Sequence, residues 1–199
     1  MNIVIIKYNA GNIESVKNAL LRLGHDAEIT HDPSKITRAD KVIFPGVGEA
    51  STTMAYLRER KLDQLIKSLE MPVLGICLGL QLLCAHSEEG DTPCLGIFDE
   101  KVKRFSPESG FEFLTKVPHM GWNPVHNLKS NLFSGDTENK HLYFVHSYYA
   151  DLGEHTIGVT DYIVPFSAAL RKGNFYATQF HPEKSGIIGA EILSNFLNL

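Results

Sequence analysis

Cysteine is scarce in this sequence, and its cysteines are not arranged in pairs. Three occur, at positions 77, 84 and 94, and none of them forms the Cys-x-x-Cys spacing of many zinc and redox sites. An odd number without that spacing argues against a disulfide framework and against a cysteine-based metal site. We therefore expect free thiols. We also expect that the protein uses neither a metal nor a cofactor.

The sequence also lacks a long apolar run and a basic cluster. No stretch of about 18 apolar residues appears, and the apolar run near the N-terminus, 3–6, is too short for a signal peptide. The 19 basic and 23 acidic residues give a net charge of −4, with no concentration of Lys or Arg. These absences argue against membrane and nucleic-acid partners, and they predict a cytoplasmic protein that acts on small substrates.

Strand and helix patterns alternate in the first half, and strand patterns dominate the second. The predicted strands are 2–8, 27–30, 41–44, 73–76, 102–105, 121–125, 142–149, 156–159, 167–170 and 175–179. The predicted helices are 13–23, with Asn12 as its N-cap, 49–60, 62–69, one from Leu78 and 188–197. With 199 residues, 43% of them hydrophobic, and no linker, we expect one domain, 1–199. The pattern predicts a three-layer α/β fold whose mostly parallel, mixed sheet has helices on both faces.

Cys77 lies where a predicted strand meets a predicted helix. The apolar run 73–76 is typical of a buried strand, and helix periodicity begins at Leu78. Unpaired N–H groups at the start of a helix favour a thiolate, and Gly75 and Gly79 leave room for a tight turn. The pattern fits a nucleophile elbow, and a small buried cysteine in a strand–helix unit fits the isolated motif equally well.

A base and its orienting carboxylate are predicted at His181 and Glu183. They follow a predicted strand, in which residues i and i+2 point to the same side, and Pro182 restricts the backbone between them. A carboxylate neighbour fixes the tautomer of a histidine and stabilises its cation, which supports a Cys–His pair. A turn that contains these three residues by chance is the alternative for the tripeptide alone, and the Cys77 elbow favours the catalytic interpretation.

Backbone N–H groups at two strand ends are candidates for an oxyanion hole. The first belongs to Leu78, directly after the nucleophile, and the second to Val47, in the glycine-rich turn 45–48. The turn has neither dinucleotide-binding nor P-loop spacing, so nucleotide binding is disfavoured.

Two further segments are candidates for holding a substrate. Gln81 lies one helical turn after Cys77, where its amide could bind polar groups, although a solvated helix position is the simpler interpretation. The segment 146–149 closes a strongly strand-forming run, so its polar groups are predicted at the rim of the sheet.

Together these motifs resemble those of the class I, triad-type glutamine amidotransferases, and the resemblance covers essentially the whole chain. It rests on the elbow Gly75-Ile76-Cys77-Leu78-Gly79-Leu80-Gln81 and on the segments 45–48, 144–148 and 179–185. The stretch Pro118-His119-Met120-Gly121-Trp122-Asn123 is similar, more narrowly, to the glutaminase subunits of imidazole glycerol phosphate synthases. The resemblance implies a flavodoxin-like fold of the class I amidotransferase type.

The resemblance also implies a reaction and a partner. Cys77 would form a thioester with L-glutamine, with His181 as base and then acid and Glu183 orienting it. The ammonia would pass to a cyclase subunit with a (β/α)₈ barrel, in a heterodimer of histidine biosynthesis. The implied contacts with glutamine are Gly46, Gln81, Glu89, Ser147 and Tyr148. The implied positions at or near the cyclase are Asn12, His119, Met120, Trp122, Asn123, Tyr143 and Lys184.

Departures from the family pattern and rival functions complete the prediction. Asn9-Ala10 stands where many relatives carry Asp and another Gly, which affects the turn that faces the partner, and Leu80 replaces the usual methionine at similar volume. The rivals are a glutaminase of another complex, such as those of anthranilate or pyridoxal phosphate synthesis, and a non-catalytic module on the same fold. A third rival, a hydrolase or redox sensor using the thiol alone, would not need His181 and Glu183.

Overall fold

Strands and helices alternate up to Leu83, and strands predominate afterwards, as the sequence predicts. The computed structural model describes residues 1–8, 11–107 and 116–199, so Asn9-Ala10 lies outside the described residues. The strands are β1 Ile3–Ile6, β2 Ala27–Thr30, β3 Lys41–Gly46, β4 Val73–Cys77, β5 His86–Ser87, β6 Thr92–Pro93, β7 Lys101–Arg104, β8 His119–Val125, β9 Lys140–His146, β10 Tyr148–Ala150, β11 Thr156–Asp161, β12 Pro165–Lys172 and β13 Phe175–Thr178. The helices are α1 Ile13–Arg22, α2 Pro33–Ile36, α3 Ala50–Glu59, α4 Leu62–Lys67, α5 Leu78–Leu83 and α6 Gly186–Leu197, with 3₁₀ turns at Gly135–Thr137 and Pro182–Lys184.

A seven-stranded mixed sheet forms the centre, in the order β11-β12-β13-β4-β3-β1-β2. From β13 to β2 each pair of adjacent strands is parallel, whereas the pairs β11–β12 and β12–β13 are antiparallel. In the β3–β4 pair, Gly46 lies opposite Cys77. Because ligands bind beyond the C-terminal ends of parallel strands, this pairing brings the glycine-rich turn and the elbow to the edge where a site is expected.

Helices cover both faces of this sheet, which confirms the predicted three-layer fold. Along β1, Ile3 and Ile5 belong to one apolar cluster and Val4 and Ile6 to the other, because successive strand side chains point to opposite faces. The first cluster includes side chains of α1 and α6, and the second includes side chains of α3, α4 and α5. Within the described ranges, no helix combines the length and the apolar character needed to cross a bilayer.

Two small sheets lie beside the central one, and they divide a segment predicted as one strand. The prediction of a single strand over 142–149 is wrong, because β9 pairs with β8 and β10 pairs with β7 in a different sheet. Ser147 separates the two strands. The run around it is almost wholly aromatic and aliphatic, with no glycine or proline to mark the break, so local pattern alone indicates one strand.

Candidate active site

The nucleophile elbow is a sharp junction between β4 and α5. Cys77 ends the strand with φ 56° and ψ −108°, and Leu78 begins the helix. A non-glycine residue in this backbone region costs about 1–3 kcal/mol, so the surrounding packing must hold it there. Gly79 permits that packing, since a Cβ atom at this position would lie 1.9 Å from the backbone oxygen of Phe44. The thiol therefore stands at the start of a helix packed tightly against β3.

His181 and Glu183 form a buried pair beside the elbow. The Nδ1 atom of His181 lies 2.7 Å from Oε1 of Glu183, and both side chains are almost fully buried. Burial lowers the pKa of His181, but the charges of Cys77 and Glu183 together outweigh burial and raise that pKa to about 10. The imidazole is therefore protonated near neutral pH, which is the charge needed to stabilise a thiolate.

The second ring nitrogen of His181 is directed to no competing partner. Among residues 1–8, 11–107 and 116–199, no atom makes a hydrogen bond of ordinary geometry with Nε2, which is fully buried. Cys77 is the neighbour that raises the pKa of this imidazole most. With Nδ1 donating to Glu183, Nε2 is the nitrogen available to exchange a proton with the sulfur or with a substrate.

Asn12 supports the carboxylate and does not cap its helix. It occupies the position before α1, as predicted, but its backbone is left-handed with φ 68°, and its side chain makes no capping bond. Capping residues normally have extended backbone angles, which explains the correction. Nδ2 of Asn12 instead donates to Oε1 of Glu183 at 2.6 Å. This oxygen therefore accepts from both Asn12 and His181.

The segment that carries the pair is fastened to β9. The backbone N–H of His181 donates to the carbonyl of Tyr143 at 2.9 Å. The Ser185 hydroxyl donates to the His181 carbonyl at 2.7 Å and accepts from the Tyr143 N–H at 3.0 Å. Sequence reasoning assigned no role to Ser185, and its position two residues after Glu183 was the available signal.

A cavity of about 260 Å³ lies next to Cys77. It is lined by most of the residues predicted to bind glutamine or its oxyanion: Val47, Leu78, Gln81, Glu89, Ser147 and Tyr148. Gly46, by contrast, is buried within β3 and does not line it. Glu89 also accepts a hydrogen bond at 2.8 Å from the N–H of Ala50, the first residue of α3, and burial raises the pKa of Glu89.

Tyr8 explains why position 46 is glycine, and sequence reasoning gave this tyrosine no functional role. A Cβ atom on Gly46 would lie 2.0 Å from the Tyr8 hydroxyl. That hydroxyl donates to the carbonyl of Pro45 at 2.5 Å, and burial raises the pKa of Tyr8 far above its usual range. The protonated phenol thus holds the Pro45–Gly46 peptide, one residue before Val47.

Two glutamine side chains connect the cavity wall to the sulfur. Nε2 of Gln81 donates to the carbonyl of Tyr148 at 2.9 Å and to Oε1 of Gln179 at 3.1 Å. Nε2 of Gln179 donates in turn to the sulfur of Cys77 at 3.7 Å. Gln179 was absent from the predicted site, although it lies two residues before His181 and so on the same side of an extended segment.

Four of the seven positions predicted to meet a partner lie together at the surface. Met120 and Trp122 are 63% and 55% exposed, which is unusual for large apolar side chains. Trp122 pairs with Tyr143 across β8 and β9, with ring centroids 6.0 Å apart, and the ammonium of exposed Lys184 lies 5.9 Å from the Tyr143 ring. We call Met120, Trp122, Tyr143 and Lys184 the predicted partner face.

His119 does not lie on this face, contrary to its predicted position at the partner contact. Its side chain is 3% exposed. Side chains alternate along β8, so those of Met120 and Trp122 point outward while that of His119 points inward. Asn123 is half-buried, with its amide directed to the inner side.

Comparison with known proteins agrees with this geometry. The family model for "Glutamine amidotransferase class-I" matches residues 4–199. The chain is 61% identical over 199 residues to "Imidazole glycerol phosphate synthase subunit HisH" of Bacteroides fragilis, and 45% identical over 201 residues to the subunit of the same name from Escherichia coli; the match covers 100% of both chains in each case. The crystal structure of a putative GMP synthase subunit from Thermoplasma acidophilum has the same fold, with a TM-score of 0.72 at 20% identity, covering 100% of this chain and 93% of that one. The chain therefore belongs to the class-I glutamine amidotransferases and, among them, to the family of HisH subunits of imidazole glycerol phosphate synthase.

Proposed function

We propose that this chain is the glutaminase subunit of an imidazole glycerol phosphate synthase. It hydrolyses L-glutamine to glutamate and ammonia, and it supplies the ammonia to a cyclase subunit in histidine biosynthesis. The observation that carries the proposal is that Cys77, which lines the cavity, lies close enough to the buried His181–Glu183 pair to raise the pKa of His181, in a chain whose full-length relatives are HisH subunits.

In the first half of the reaction, the Cys77 thiolate attacks the side-chain amide carbon of glutamine. The N–H groups of Leu78 and Val47 donate to the oxyanion that develops. Protonated His181 then gives its proton to the amide nitrogen as the C–N bond breaks, so that ammonia leaves and a thioester remains. The raised pKa of His181, about 10, supplies this proton at neutral pH.

In the second half, water attacks the thioester carbon. Neutral His181 takes a proton from that water, and the C–S bond breaks to release glutamate and the thiolate. The cycle ends as it began, with protonated His181 beside ionised Cys77. Glu183 holds Nδ1 of His181 throughout and stabilises its cationic form.

The cavity walls supply contacts for the amino-acid end of glutamine. Gln81, Glu89, Ser147 and Tyr148 line the cavity and offer amide, carboxylate, hydroxyl and backbone groups. Gly46 lies behind the wall, so its contribution is to set the position of the next peptide. A carboxylate such as Glu89 is the natural partner for the α-ammonium group.

The reaction requires a partner that receives the product. Ammonia released into water near pH 7 is mostly protonated, and ammonium is not a nucleophile, so the product must pass directly to a second site. The predicted partner face suits a cyclase subunit with a (β/α)₈ barrel, because Met120 and Trp122 expose apolar surface there. Asn12 lies next to Glu183 and would couple that contact to the triad. We place this heterodimer in the cytoplasm.

The test is reconstitution with the cyclase subunit, glutamine and the phosphoribulosyl formimino carboxamide ribonucleotide. Glutamate and imidazole glycerol phosphate should form together, and Cys77→Ala should abolish both while an ammonium salt at alkaline pH restores imidazole glycerol phosphate alone. Cys84→Ala removes a buried thiol just after α5 and serves as the control with normal activity. Glutamine-dependent activity in Cys77→Ala would refute the mechanism.

A further inference from the structure

Two buried histidines outside the triad are joined by a hydrogen bond. Nδ1 of His119 lies 3.0 Å from Nε2 of His146, and the two residues are 3% and 6% exposed. At their outer ends, His119 meets the amide of Asn123 and His146 meets the carbonyl of Tyr148. The mechanism uses neither ring, although one end of this series lies beside the predicted partner face and the other lines the cavity.

The Tyr148 end determines where the protons lie. Nδ1 of His146 is 2.7 Å from the Tyr148 carbonyl, which can only accept, so Nδ1 carries a hydrogen. In a neutral ring Nε2 of His146 is then an acceptor, and Nδ1 of His119 must donate to it. That leaves Nε2 of His119 as an acceptor.

The Asn123 end leads independently to the same assignment. Nδ2 of Asn123 donates to the carbonyl of Asp161 at 2.8 Å, which fixes the orientation of the amide. Its second hydrogen faces Nε2 of His119 at 3.3 Å. Each contact therefore has one proton when both rings are neutral, and an extra proton on either ring would set two donors against each other.

The surroundings favour these neutral rings. His119 is stacked between Tyr162 and Phe144, with centroid distances of 4.0 and 4.9 Å and interplanar angles of 20° and 24°. Burial lowers the pKa of His119 to about 4 and that of His146 to about 3. Both rings therefore keep the same hydrogen-bond pattern across the pH range in which the enzyme would work.

The series of hydrogen bonds from Asn123 through His119 and His146 ends on a carbonyl of the cavity wall. The oxygen of Tyr148 accepts from His146 at 2.7 Å and from Gln81 at 2.9 Å, so both of its lone pairs are engaged. Tyr148 and Gln81 both line the cavity beside Cys77. A shift of the His146 ring would therefore move two contacts of the predicted glutamine site together.

We propose that Asn123, His119 and His146 are positioning residues, a hydrogen-bonded relay that sets the Tyr148 carbonyl and the Gln81 amide for glutamine binding. The proposal rests on the glutaminase function proposed above and deepens it by linking β8, the strand of the predicted partner face, to the substrate cavity. Since the relay acts on the cavity wall and leaves the triad in place, its loss should weaken glutamine binding more than it slows the chemical steps.

The experiment measures glutaminase kinetics of the complex with the cyclase subunit for three variants. His119→Phe keeps an aromatic ring in the stack but removes both hydrogen bonds, and Asn123→Ala removes only the outer donor. We expect the KM for glutamine to rise about 10-fold and about 3-fold respectively, with kcat within about 2-fold of the unaltered complex. His126→Ala is the matched control, since His126 also bonds to Asp161, through the carboxylate at 2.8 Å, but lies outside the relay.

A second measurement needs no substrate. Nitrogen NMR of the imidazoles in the unaltered chain should find the proton on Nδ1 of both His119 and His146, and Asn123→Ala should perturb the His146 signals. An Nε2–H tautomer at either ring, an unchanged KM in both relay variants, or an equal rise in KM for His126→Ala would each overturn the relay. Absence of glutamine hydrolysis by the unaltered complex would instead refute the proposed function, and the NMR result would still decide whether the relay exists.

Discussion

The pKa values of buried histidines are shifted in opposite directions in two regions of this molecule. In the triad, burial lowers the pKa of His181 but neighbouring charges raise it to about 10. Between β8 and β9, burial dominates and lowers the pKa of His119 and His146 to about 4 and about 3. All three rings are at most 6% exposed, so burial alone does not determine the charge of a histidine here.

The difference comes from the chemistry of the neighbours. His181 lies between a thiol and a carboxylate, two groups that become anionic and favour the imidazolium. His119 and His146 meet each other, an amide and a carbonyl, and none of these partners is an anion that would stabilise an imidazolium. One region is thus arranged to transfer a proton, and the other is arranged to keep its protons in place.

Removal of the triad carboxylate tests the contrast most severely. Glu183→Gln keeps the shape of the side chain but removes the charge that stabilises protonated His181. We expect kcat for glutamine hydrolysis to fall about 10⁴-fold, as for an orienting carboxylate in other triads. Glu154→Gln, which alters an exposed carboxylate, should leave the rate unchanged. A loss below about 10-fold in Glu183→Gln would mean that the two histidine regions differ less than their pKa values indicate.

Removal of the thiol should reduce the difference in histidine pKa between the two regions. In Cys77→Ala, His181 keeps its burial but loses the largest of the influences that raise its pKa. We expect an NMR titration to show its pKa falling markedly from about 10, while His119 and His146 stay neutral above about pH 5. An unchanged His181 pKa would assign the shift to Glu183 alone.

The two regions should also respond oppositely when stability is measured against pH. The folded pKa values of His119 and His146 lie below the unfolded value of about 6.5, so the unfolded chain binds more protons in acid. Each of them should cost about 2 kcal/mol of unfolding free energy between pH 7 and pH 5. The contribution of His181, whose folded pKa is raised, is complete below about pH 6.5 and is lost as the pH rises towards 10. Urea unfolding from pH 5 to pH 9.5 measures the unfolding free energy over both pH ranges. His119→Phe should reduce the loss of stability between pH 7 and pH 5 and leave the loss at alkaline pH unchanged.

The smallest effect is expected at Asn12. Asn12→Ala removes one of the two donors to Oε1 of Glu183, which should cost about 1–2 kcal/mol of stability and lower kcat about 10-fold. Asn195→Ala is the matched control, because it removes one amide hydrogen bond to an uncharged acceptor, the Leu132 carbonyl. If both variants kept full activity, the carboxylate would need no support beyond His181.

Local sequence patterns predict the order of elements and the grouping of Cys77, His181 and Glu183. Alternating strand and helix patterns indicated a mostly parallel sheet, and the ends of parallel strands meet at one edge. Cys77 at a strand–helix junction and His181 after a strand are therefore expected at the same edge of the sheet. Glu183 is expected beside His181, because residues i and i+2 of an extended segment point to the same side. Each of these inferences needs only neighbours in sequence and a rule of topology.

The remaining contacts depend on pairs that no local pattern encodes. Tyr8 meets Pro45 across 37 positions, and Asn12 meets Glu183 across 171. The inward position of His119 depends on which face of β8 is covered, which is decided by a separate part of the chain. The break at Ser147 arises because the residues before it pair with β8 and the residues after it pair with β7, in a different sheet.

The backbone of Cys77 has a consequence for how this sequence can change. Glycine adopts a φ of 56° without steric penalty, so selection for a stable fold alone would favour glycine at position 77. A cysteine held there against that preference is a mark of selection for reactivity. Replacement of Cys77 by glycine is thus expected to relieve the backbone strain while removing the reaction.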